Sequence, residues 1–271
     1  MRFAKLHGLG NDFVLLDLRR DASGAAPTPD RAVAICDRHR GIGADGVLTL
    51  LPSAEGDARL VIHNADGSRP EMCGNGARAA ALWIATEGST RLPASQGAVV
   101  RLQTDAGDRP CHVWAEARTA GEVEIEMGPA KLDPPRDLAV DGGRQAARPV
   151  SMGNPHRILF LDASRPELQR LAEQDGPALC RVENANIEFV TRLGPQRYAC
   201  VVYERGAGLT QACGTGACAV AAAAVAREEA QAGQPITVEL PGGPLSITVS
   251  ADFQSVKMRG PAQLVFAGEM A

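Results

Sequence analysis

Short segments in which apolar and polar residues alternate, or in which β-branched residues cluster, recur along most of the chain. Glycine, proline, aspartate and asparagine separate these segments, and the combination predicts β-strands. The predicted strands are 60–63, 98–102, 122–126, 156–161, 186–190, 198–203, 236–240 and 245–249.

Helical patterns are fewer. Thr28 followed by Pro29 predicts a helix start, with a capping side chain and a proline at the first helical position, and this helix is expected to end near Arg38. The other three helices are predicted over 75–87, 166–174 and 216–230.

The helices predicted over 75–87 and 216–230 are rich in alanine and follow similar turns. Residues 71–77 read Glu-Met-Cys-Gly-Asn-Gly-Ala, and residues 211–217 read Gln-Ala-Cys-Gly-Thr-Gly-Ala. Residues 128–150 combine prolines and glycines with charged residues and are predicted to be connecting material. The pattern predicts two similar domains that meet at a cleft, although so short a repeat can also arise by chance.

Composition excludes some classes of function. The formal net charge of −4 leaves no basic footprint for nucleic acid, and 2 Trp, 2 Tyr and 6 Phe supply few rings for base stacking. The first residues are polar from Arg2 onward, which predicts no signal peptide. The longest apolar run, 217–226, is shorter than the roughly 20 residues of a membrane span. We therefore expect a soluble cytoplasmic protein with neither a nucleic-acid nor a membrane partner.

Cysteine usage indicates a reducing compartment. The seven cysteines are odd in number and dispersed along the chain, which free thiols in a reducing compartment explain more simply than disulfides do. Most are expected to be small core residues, the usual place of a thiol outside a disulfide. Cys73 and Cys213 differ, because each stands in one of the two glycine-containing turns.

A cysteine at the start of a helix faces unpaired backbone N–H groups and the positive end of the helix dipole, which favour the thiolate. Half-ionisation at pH 7 requires a pKa decrease of about 1.5 units, or roughly 2 kcal/mol, whereas a helix end typically supplies about 0.3–1 kcal/mol. Apolar burial opposes ionisation. Further N–H donors or a nearby cation are therefore required if either thiol is to ionise.

Glycines in the two turns let a ligand carboxylate reach the N–H groups directly. Removal of an α-proton from an amino acid builds negative charge beside its carboxylate, so such donors stabilise the transition state. Two turns that converge on one carboxylate place a thiol on each face of the α-carbon, and a thiolate/thiol pair then inverts that carbon without an electron-sink cofactor. The alternative is that both cysteines are buried small residues before helices.

Seven ordered motifs give the chain a resemblance to the diaminopimelate epimerases. The likeness covers residues 3 to about 220, and Leu-Pro-Gly-Gly at 240–243 extends it. Related proline racemases resemble Met-Cys-Gly-His, rather than Met-Cys-Gly-Asn, at the first cysteine. The motifs are KLHGLGNDF at 5–13, RHRGIGAD at 38–45, NADGS at 64–68, MCGNGAR at 72–78, MGNPH at 152–156, YERGAG at 203–208 and ACGTG at 212–216.

The resemblance implies an α+β fold of two pseudo-symmetric domains. Each would be a mixed, mostly antiparallel sheet or barrel wrapped around a central α-helix, with the active site in the cleft between them. The implied N-terminal domain is residues 1–115, completed by a C-terminal strand over 259–271, and the implied C-terminal domain is residues 116–258. A homodimer is also expected from this likeness.

The resemblance also implies the reaction, the interconversion of LL- and meso-diaminopimelate on the route to lysine and peptidoglycan precursors, with neither a cofactor nor a metal. It implies that Cys73 and Cys213 are the two bases and that His156 and Glu204 belong to the catalytic set. The residues expected to bind substrate are Asn11, Asn64, Gly74, Asn75, Asn154, Asn186, Glu204, Arg205, Gly214 and Thr215.

Each of these assignments has an ordinary alternative. Arg205 offers a planar fork for a distal carboxylate, but a lone arginine is usually solvated. Amide side chains can bind both carboxylate and ammonium groups, but an asparagine in a turn usually caps the backbone. His156 is equally consistent with an exposed turn residue. Gly46 stands where some relatives carry glutamine, so a contact from that side chain is not expected here.

Two motifs point to other functions and are rejected. Residues 41–46 match the G-x-G-x-x-G of dinucleotide-binding loops, but a polar segment precedes them and the strand-like residues 47–51 follow, the reverse of the required order. Cys36 and His39 have the spacing of half a zinc site without a matching second half. A racemase of proline or hydroxyproline, or a non-catalytic ligand- or metal-binding protein, are the alternative functions.

Overall fold

A computed structural model describes residues 1–21, 25–86 and 97–270. The chain forms two compact units: unit 1 comprises Met1–Ile125 and Arg259–Ala271, and unit 2 comprises Glu126–Met258. Along the chain, the first segment of unit 1 ends at Ile125, whereas the resemblance implies a domain boundary after residue 115. A strand hairpin that pairs Cys111 with Ile125 keeps this stretch in unit 1.

The described residues form 17 strands and five helices. In chain order the elements are β1 Arg2–Gly8, β2 Asn11–Asp17, α1 Pro29–Cys36, β3 Gly46–Leu51, β4 Ala58–Asn64, α2 Gly74–Thr86, β5 Ala98–Thr104, β6 Gly107–Ala117, β7 Ala120–Gly128, β8 Lys131–Leu132, β9 Arg136–Val140, β10 Gly143–Ser151, β11 Pro155–Phe160, α3 Arg165–Gln174, α4 Gly176–Glu183, β12 Asn186–Gly194, β13 Arg197–Glu204, β14 Gly208–Leu209, α5 Gly214–Ala226, β15 Ile236–Leu240, β16 Gly243–Val249 and β17 Val256–Glu269.

Unit 1 contains a six-strand series in which the pairing direction alternates. β1 pairs antiparallel with β2, β2 parallel with β3, β3 antiparallel with β4, β4 parallel with β5, and β5 antiparallel with β6. Each parallel pair needs a crossover, and the two crossovers carry α1 and α2. The other edge of β1 pairs antiparallel with residues 263–269 of β17.

Unit 2 repeats this series. β10 pairs antiparallel with β11, β11 parallel with β12, β12 antiparallel with β13, β13 parallel with β15, and β15 antiparallel with β16. The crossovers carry α3 with α4 and then α5. The internal repeat indicated by the two cysteine turns therefore extends over a whole six-strand topology, and the α+β fold class predicted from the resemblance is confirmed.

Each unit has a helix at its centre. Helix α2 packs against all six strands of the unit 1 series, and α5 packs against all six strands of the unit 2 series. A helix enclosed on every side must be apolar or small all round, and residues 214 and 216–224 of α5, mostly alanine, are all buried. The short side chains let the surrounding strands approach the helix closely.

The prediction that residues 128–150 are connecting material is wrong, because β8, β9 and most of β10 lie there. Strands β9 and β10 form a hairpin whose two-residue turn is Asp141-Gly142, with φ of 50° and 73°. An Asp-Gly turn with two positive φ values matches the twist of paired strands and is a strong hairpin signal. The surrounding prolines and charges obscured it.

The predicted helices are present, and their ends differ from the prediction. Helix α1 ends at Cys36 because Asp37 turns to an extended backbone. Helix α5 ends at Ala226, and Glu228 just beyond it takes a φ of 60°. The expected end of α2 near residue 87 lies outside the described residues, and α4 was not predicted. Across residues 1–21, 25–86 and 97–270, no helix is long and apolar enough to cross a membrane.

Candidate active site

Three strand ends meet at one edge of the unit 1 sheet. Asn11 is the first residue of β2, and Gly46, the first residue of β3, pairs with Phe13 of β2 and with Asn64 at the end of β4. This register brings Asn11 and Asn64, both expected to bind substrate, to the same edge.

The first turn of α2 lies at this edge. The buried Asn75 donates from Nδ2 to Asn11 Oδ1 over 3.1 Å, and it accepts at Oδ1 from Arg78 Nη2 over 2.9 Å. Arg78 is 0% exposed, although it was not among the predicted site residues. Its place at the end of the Met-Cys-Gly-Asn-Gly-Ala-Arg motif could have identified it as a site residue from the sequence.

Cys73 directly precedes α2. Its carbonyl accepts the backbone N–H of Ala77 over 2.8 Å, so the residue begins the helical hydrogen-bond series. Cys73 is half-buried, unlike the fully buried helix residues that follow it. The structure thus places this thiol at the amino end of the central helix of unit 1.

Asn64 and Gly46 have specific local roles. Asn64 is exposed and donates from Nδ2 to Ser68 Oγ over 2.9 Å, a side-chain bond within the turn that follows β4. A Cβ added at Gly46 would lie 2.7 Å from the carbonyl oxygen of His63, so any side chain there requires the β4 backbone to shift.

A network of charged side chains supports the same edge of unit 1. Asp45 accepts from Asn11 Nδ2 over 2.8 Å and from Arg38 over 2.8 Å. Arg38 also bonds Asp12, which in turn pairs with Lys5. Burial raises the pKa of Asp12, but its bonds to Arg38 and Lys5 outweigh burial and lower that pKa to about 2.

Unit 2 presents the equivalent edge. Asn186 is the first residue of β12 and pairs with His156 of β11, while Glu204 is the last residue of β13. Asn154 lies just before β11. Helix α5 begins directly after Cys213, so the predicted residues of unit 2 gather at strand ends and a helix start as they do in unit 1.

Cys213 is the N-cap of α5 and is 4% exposed. Its Sγ accepts the N–H of Gly216 over 3.3 Å and lies 3.5 Å from Thr215 Oγ1. Burial, followed by the nearby charges of Glu204 and Glu188, raises the pKa of Cys213 well above 9.0, and the bonds to Thr215 and Gly216 only partly oppose this. The helix start supplies the expected donors, yet burial and the two carboxyl groups favour the neutral thiol over the thiolate.

Glu204 contacts that thiol. Burial raises the pKa of the Glu204 carboxyl above 4.5, while hydrogen bonds with Thr210 and Cys213 pull it down. The Thr210 hydroxyl donates to Glu204 Oε1. Glu204 is therefore a carboxyl that holds its proton more tightly than usual and stands beside a cysteine.

His156 is 0% exposed, so the alternative of an exposed turn residue is wrong. Its Nδ1 lies 2.6 Å from Glu188 Oε1, and its Nε2 lies 3.0 Å from Asn154 Oδ1. Asn154 Nδ2 donates to Thr215 Oγ1 over 3.3 Å. A chain of hydrogen bonds thus runs from Glu188 through His156, Asn154 and Thr215 to Cys213.

Glu188 was not predicted. It is 0% exposed and is the third residue of β12, between Ile187 and Phe189. A charged residue between two apolar residues of a strand could have identified it from the sequence, because carboxylates are almost never fully buried without a partner.

Asn186 and Arg205 are hydrogen-bonded locally. Asn186 Oδ1 accepts the backbone N–H of Arg205 over 2.9 Å. The Arg205 guanidinium is exposed and donates to Asn184 Oδ1 over 3.2 Å. The amide thus caps the backbone, and the arginine keeps most of its donors towards solvent.

The rejected zinc motif has the ordinary structure. Cys36 is buried in a core cluster, where burial raises its pKa to about 11, and His39 is exposed beyond the end of α1. In the part of the chain that the structure describes, no three His, Cys, Asp or Glu side chains are grouped to hold a metal ion.

The family model described as diaminopimelate epimerase matches residues 3–132 and 149–265. The chain belongs to the diaminopimelate epimerase family. A diaminopimelate epimerase of Cyanothece sp. is 42% identical over 285 residues and is covered to 99%, as is this chain. The chloroplastic diaminopimelate epimerase of Oryza sativa subsp. japonica is 40% identical over 296 residues, which cover 99% of this chain and 79% of the rice protein. The predicted family is confirmed, and the protein is an isomerase.

Solved structures show the same fold at lower identity. A probable proline racemase from Agrobacterium radiobacter superposes with a TM-score of 0.76 at 15% identity, covering 100% of this chain and 92% of that one. A predicted epimerase from Pseudomonas aeruginosa gives 0.75 at 18% identity, covering 99% and 98%. The sequence likeness to the diaminopimelate epimerases is much higher, which favours them over the proline racemase alternative.

Proposed function

We propose that this member of the family interconverts LL- and meso-diaminopimelate in lysine biosynthesis, with Cys73 and Cys213 as the two proton-transfer groups. One observation carries the mechanism: each repeat has a cysteine directly before its buried central helix, at a polar sheet edge. The family membership supports the reaction, and the repeated thiol supports a two-base inversion.

The proton transfers balance without a further reactant. One sulfur, as thiolate, takes the α-proton, and the C–H electron pair delocalises into the substrate carboxylate. The opposite thiol then gives its proton to the other face, so the two sulfurs exchange protonation states. The mechanism requires both sulfurs to reach opposite faces of one α-carbon.

The two helix starts supply the donors that this intermediate needs. Backbone N–H groups of Gly74 and Asn75 in unit 1, and of Gly214 and Thr215 in unit 2, are the proposed partners of the reacting carboxylate. Such donors act most strongly where charge develops, which is how they lower the barrier.

Glu204 and His156 are proposed to serve Cys213. Because burial and nearby carboxyl groups favour the neutral form of Cys213, this sulfur needs an acceptor for its proton before it can act as a base. Glu204 is bonded to the thiol and holds a proton readily, so it is the proposed acceptor. His156 acts through Asn154 and Thr215.

The remaining polar residues are proposed to bind substrate. Asn11, Asn64, Asn154 and Asn186 offer amides that suit amino and carboxylate groups. Arg205 offers exposed donors for the distal carboxylate. We place the enzyme in the cytoplasm, in keeping with its dispersed cysteines, and propose a homodimer; sedimentation of the purified protein measures the latter.

Proton NMR with LL-diaminopimelate in heavy water tests the proposal. We expect deuterium at one α-carbon as meso product accumulates, without added pyridoxal phosphate or metal. Cys73→Ala and Cys213→Ala should each stop net inversion. Failure of the reduced, folded protein to exchange the α-proton would overturn the substrate, and full activity of either variant would overturn the two-thiol mechanism.

A further inference from the structure

Strands β3 and β12 hold the same place in the two repeats, each with a parallel neighbour on one side and an antiparallel neighbour on the other. Gly46 opens β3 and pairs with Phe13, and Asn186 opens β12 and pairs with His156. Phe13 of unit 1 and His156 of unit 2 are therefore equivalent positions.

The next inward residue of each strand contacts the central helix. A Cβ built on Gly76 of α2 would lie 2.8 Å from Leu48 Cδ2, and a Cβ built on Gly216 of α5 would lie 2.8 Å from Glu188 Oε1. Each glycine is the third residue after its cysteine. Leu48 and Glu188 therefore occupy equivalent places, the first apolar and the second a carboxyl.

The apolar pair of unit 1 is thus replaced by an ionisable pair in unit 2. Phe13 and Leu48 are buried, and His156 and Glu188 are both 0% exposed. Well-packed apolar residues are often as stable as a buried ion pair or more so. Glu188 Oε2 is also buried without a hydrogen-bond partner among the described residues, which costs stability. Packing alone therefore does not account for the polar pair.

The hydrogen bonds around His156 have a direction. Asn154 donates from its amide nitrogen to Thr215, so its carbonyl oxygen faces the ring. Nε2 of His156 therefore carries the proton that it donates to Asn154, and a single proton lies between Nδ1 and Glu188 Oε1. The Thr215 hydroxyl accepts from Asn154 and lies 3.5 Å from Cys213 Sγ, within reach to donate to it.

We propose that Glu188 is a positioning residue that fixes the His156 ring with its Nε2–H towards Asn154 and thereby orients the Asn154–Thr215 donors towards Cys213. The oriented hydroxyl stabilises the Cys213 thiolate that forms during turnover. This inference rests on the proposed function of Cys213, and it assigns Glu188 no contact with substrate.

Other ionisable groups also face this pair. From β13 come Glu204 and Cys200, from α5 comes Cys213, and from α4 comes Cys180. Arg157, next to His156 on β11, is the nearby cation. Glu188 and Glu204 oppose ionisation of Cys200 and Cys213, and the oriented Thr215 hydroxyl counters that repulsion at Cys213.

Nitrogen-15 and proton NMR of the histidine rings measures the inference directly. We expect a protonated Nε2 and a strongly downfield proton shared between Nδ1 and Glu188 in the parent protein, assigned among the 5 histidines with His156→Gln. Glu188→Gln should remove the downfield proton, and Glu188→Asp should retain part of it. An Nε2 without a proton in the parent, or an unchanged ring in Glu188→Gln, overturns the proposal.

Kinetics supply the second measurement. Loss of a hydrogen bond to a charged group predicts a kcat about tenfold lower in Glu188→Gln, with KM little changed, and Glu188→Asp should recover part of kcat. The matched control is Glu239→Gln on β15, which removes a carboxylate bonded to Arg165 and Arg197. Equal loss of kcat in the control, or none in Glu188→Gln, contradicts the positioning role.

The double variant His156→Phe/Glu188→Leu transfers the apolar pair of unit 1 into unit 2. We expect its Tm to equal or exceed that of the parent, with epimerase activity lost. A lower Tm would mean that the pair serves packing, contrary to the proposal. If the parent itself shows no epimerase activity, the proposed function fails, and the NMR result still decides whether Glu188 fixes the orientation of the His156 ring.

Discussion

Asn75 donates its side-chain amide to Asn11 over 3.1 Å, which ties the first turn of α2 to the first residue of β2. Both were expected to bind substrate from their motifs alone. The hydrogen bond also gives both residues a structural role, because it joins the buried Asn75 to Asn11 at the sheet edge.

Asn75→Ala should lower the free energy of unfolding by about 1–3 kcal/mol, since it removes an acceptor of the buried Arg78 as well as the donor to Asn11. A double-mutant cycle with Asn11→Ala, measured by urea unfolding, should give a coupling of at least about 0.5 kcal/mol. Asn64→Ala, whose exposed amide bonds only the nearby Ser68 in the described contacts, should change stability by less than about 0.5 kcal/mol. Strict additivity would show that the two amides act independently.

Cys213 should react slowly with iodoacetamide, because only the thiolate is nucleophilic and burial raises the pKa of this thiol. In a Cys73→Ala background, peptide mass spectrometry should find Cys213 labelled at least about tenfold more slowly than glutathione at pH 8. The rate should still be rising with pH at pH 9. A plateau below pH 8 would contradict the raised pKa.

Glu204 should give stability an unusual dependence on pH. Its folded pKa lies above 4.5, so the stability it contributes is complete below about pH 4.5 and is lost as the pH rises through the folded pKa. Glu204→Gln removes this loss, and the variant should therefore gain stability relative to the parent as the pH rises from about 4. Urea unfolding across this range measures the difference.

Glu239 is the matched control, because its pKa is shifted in the opposite direction from that of Glu204. Burial opposes its ionisation, but Arg165 and Arg197 outweigh burial and lower its pKa below 4.5. Its contribution is present above that value and is lost as the pH falls through the folded pKa. Glu239→Gln should thus lose stability relative to the parent as the pH rises. If both variants follow the same trend, the assignment of the shift to Glu204 is wrong.

Gly216→Ala should reduce epimerase kcat while leaving the fold intact. The new Cβ would lie 2.8 Å from Glu188 Oε1 and 3.2 Å from Cys213 Sγ, so one of these groups must move. Gly194→Ala is the control, because a Cβ there meets nothing within 4 Å. Activity and thermal unfolding of both variants measure the effect, and parental kcat in Gly216→Ala would show that the close contact is not needed for catalysis.

Much of the fold was predictable because its strands carry local signals. The range 236–240 alternates and coincides with β15, and Thr28-Pro29 marks the start of α1 as the structure has it. Strand β9 and the first part of β10 are largely exposed, so they lack the apolar alternation by which a strand is usually predicted. Their one clear local signal was the Asp141-Gly142 turn.

The sequence predicts those site residues that belong to short motifs, but not the properties that depend on partners distant in the chain. The repeated turns place Cys73 and Cys213 before helices α2 and α5. The raised pKa of Cys213 arises from burial and from carboxyl groups on other strands, which no local motif reveals. The positioning role of Glu188 follows only from a comparison of β12 with β3 in three dimensions.

The return of the chain to unit 1 has a consequence for synthesis. Unit 2 is a continuous stretch, whereas β1 obtains its second neighbour from residues 263–269 of β17. A ribosome releases β1 long before those residues, so during translation one edge of β1 has open backbone donors and acceptors, which invite pairing with other chains. Unit 1 is therefore completed last, after the segment that forms unit 2 has left the ribosome.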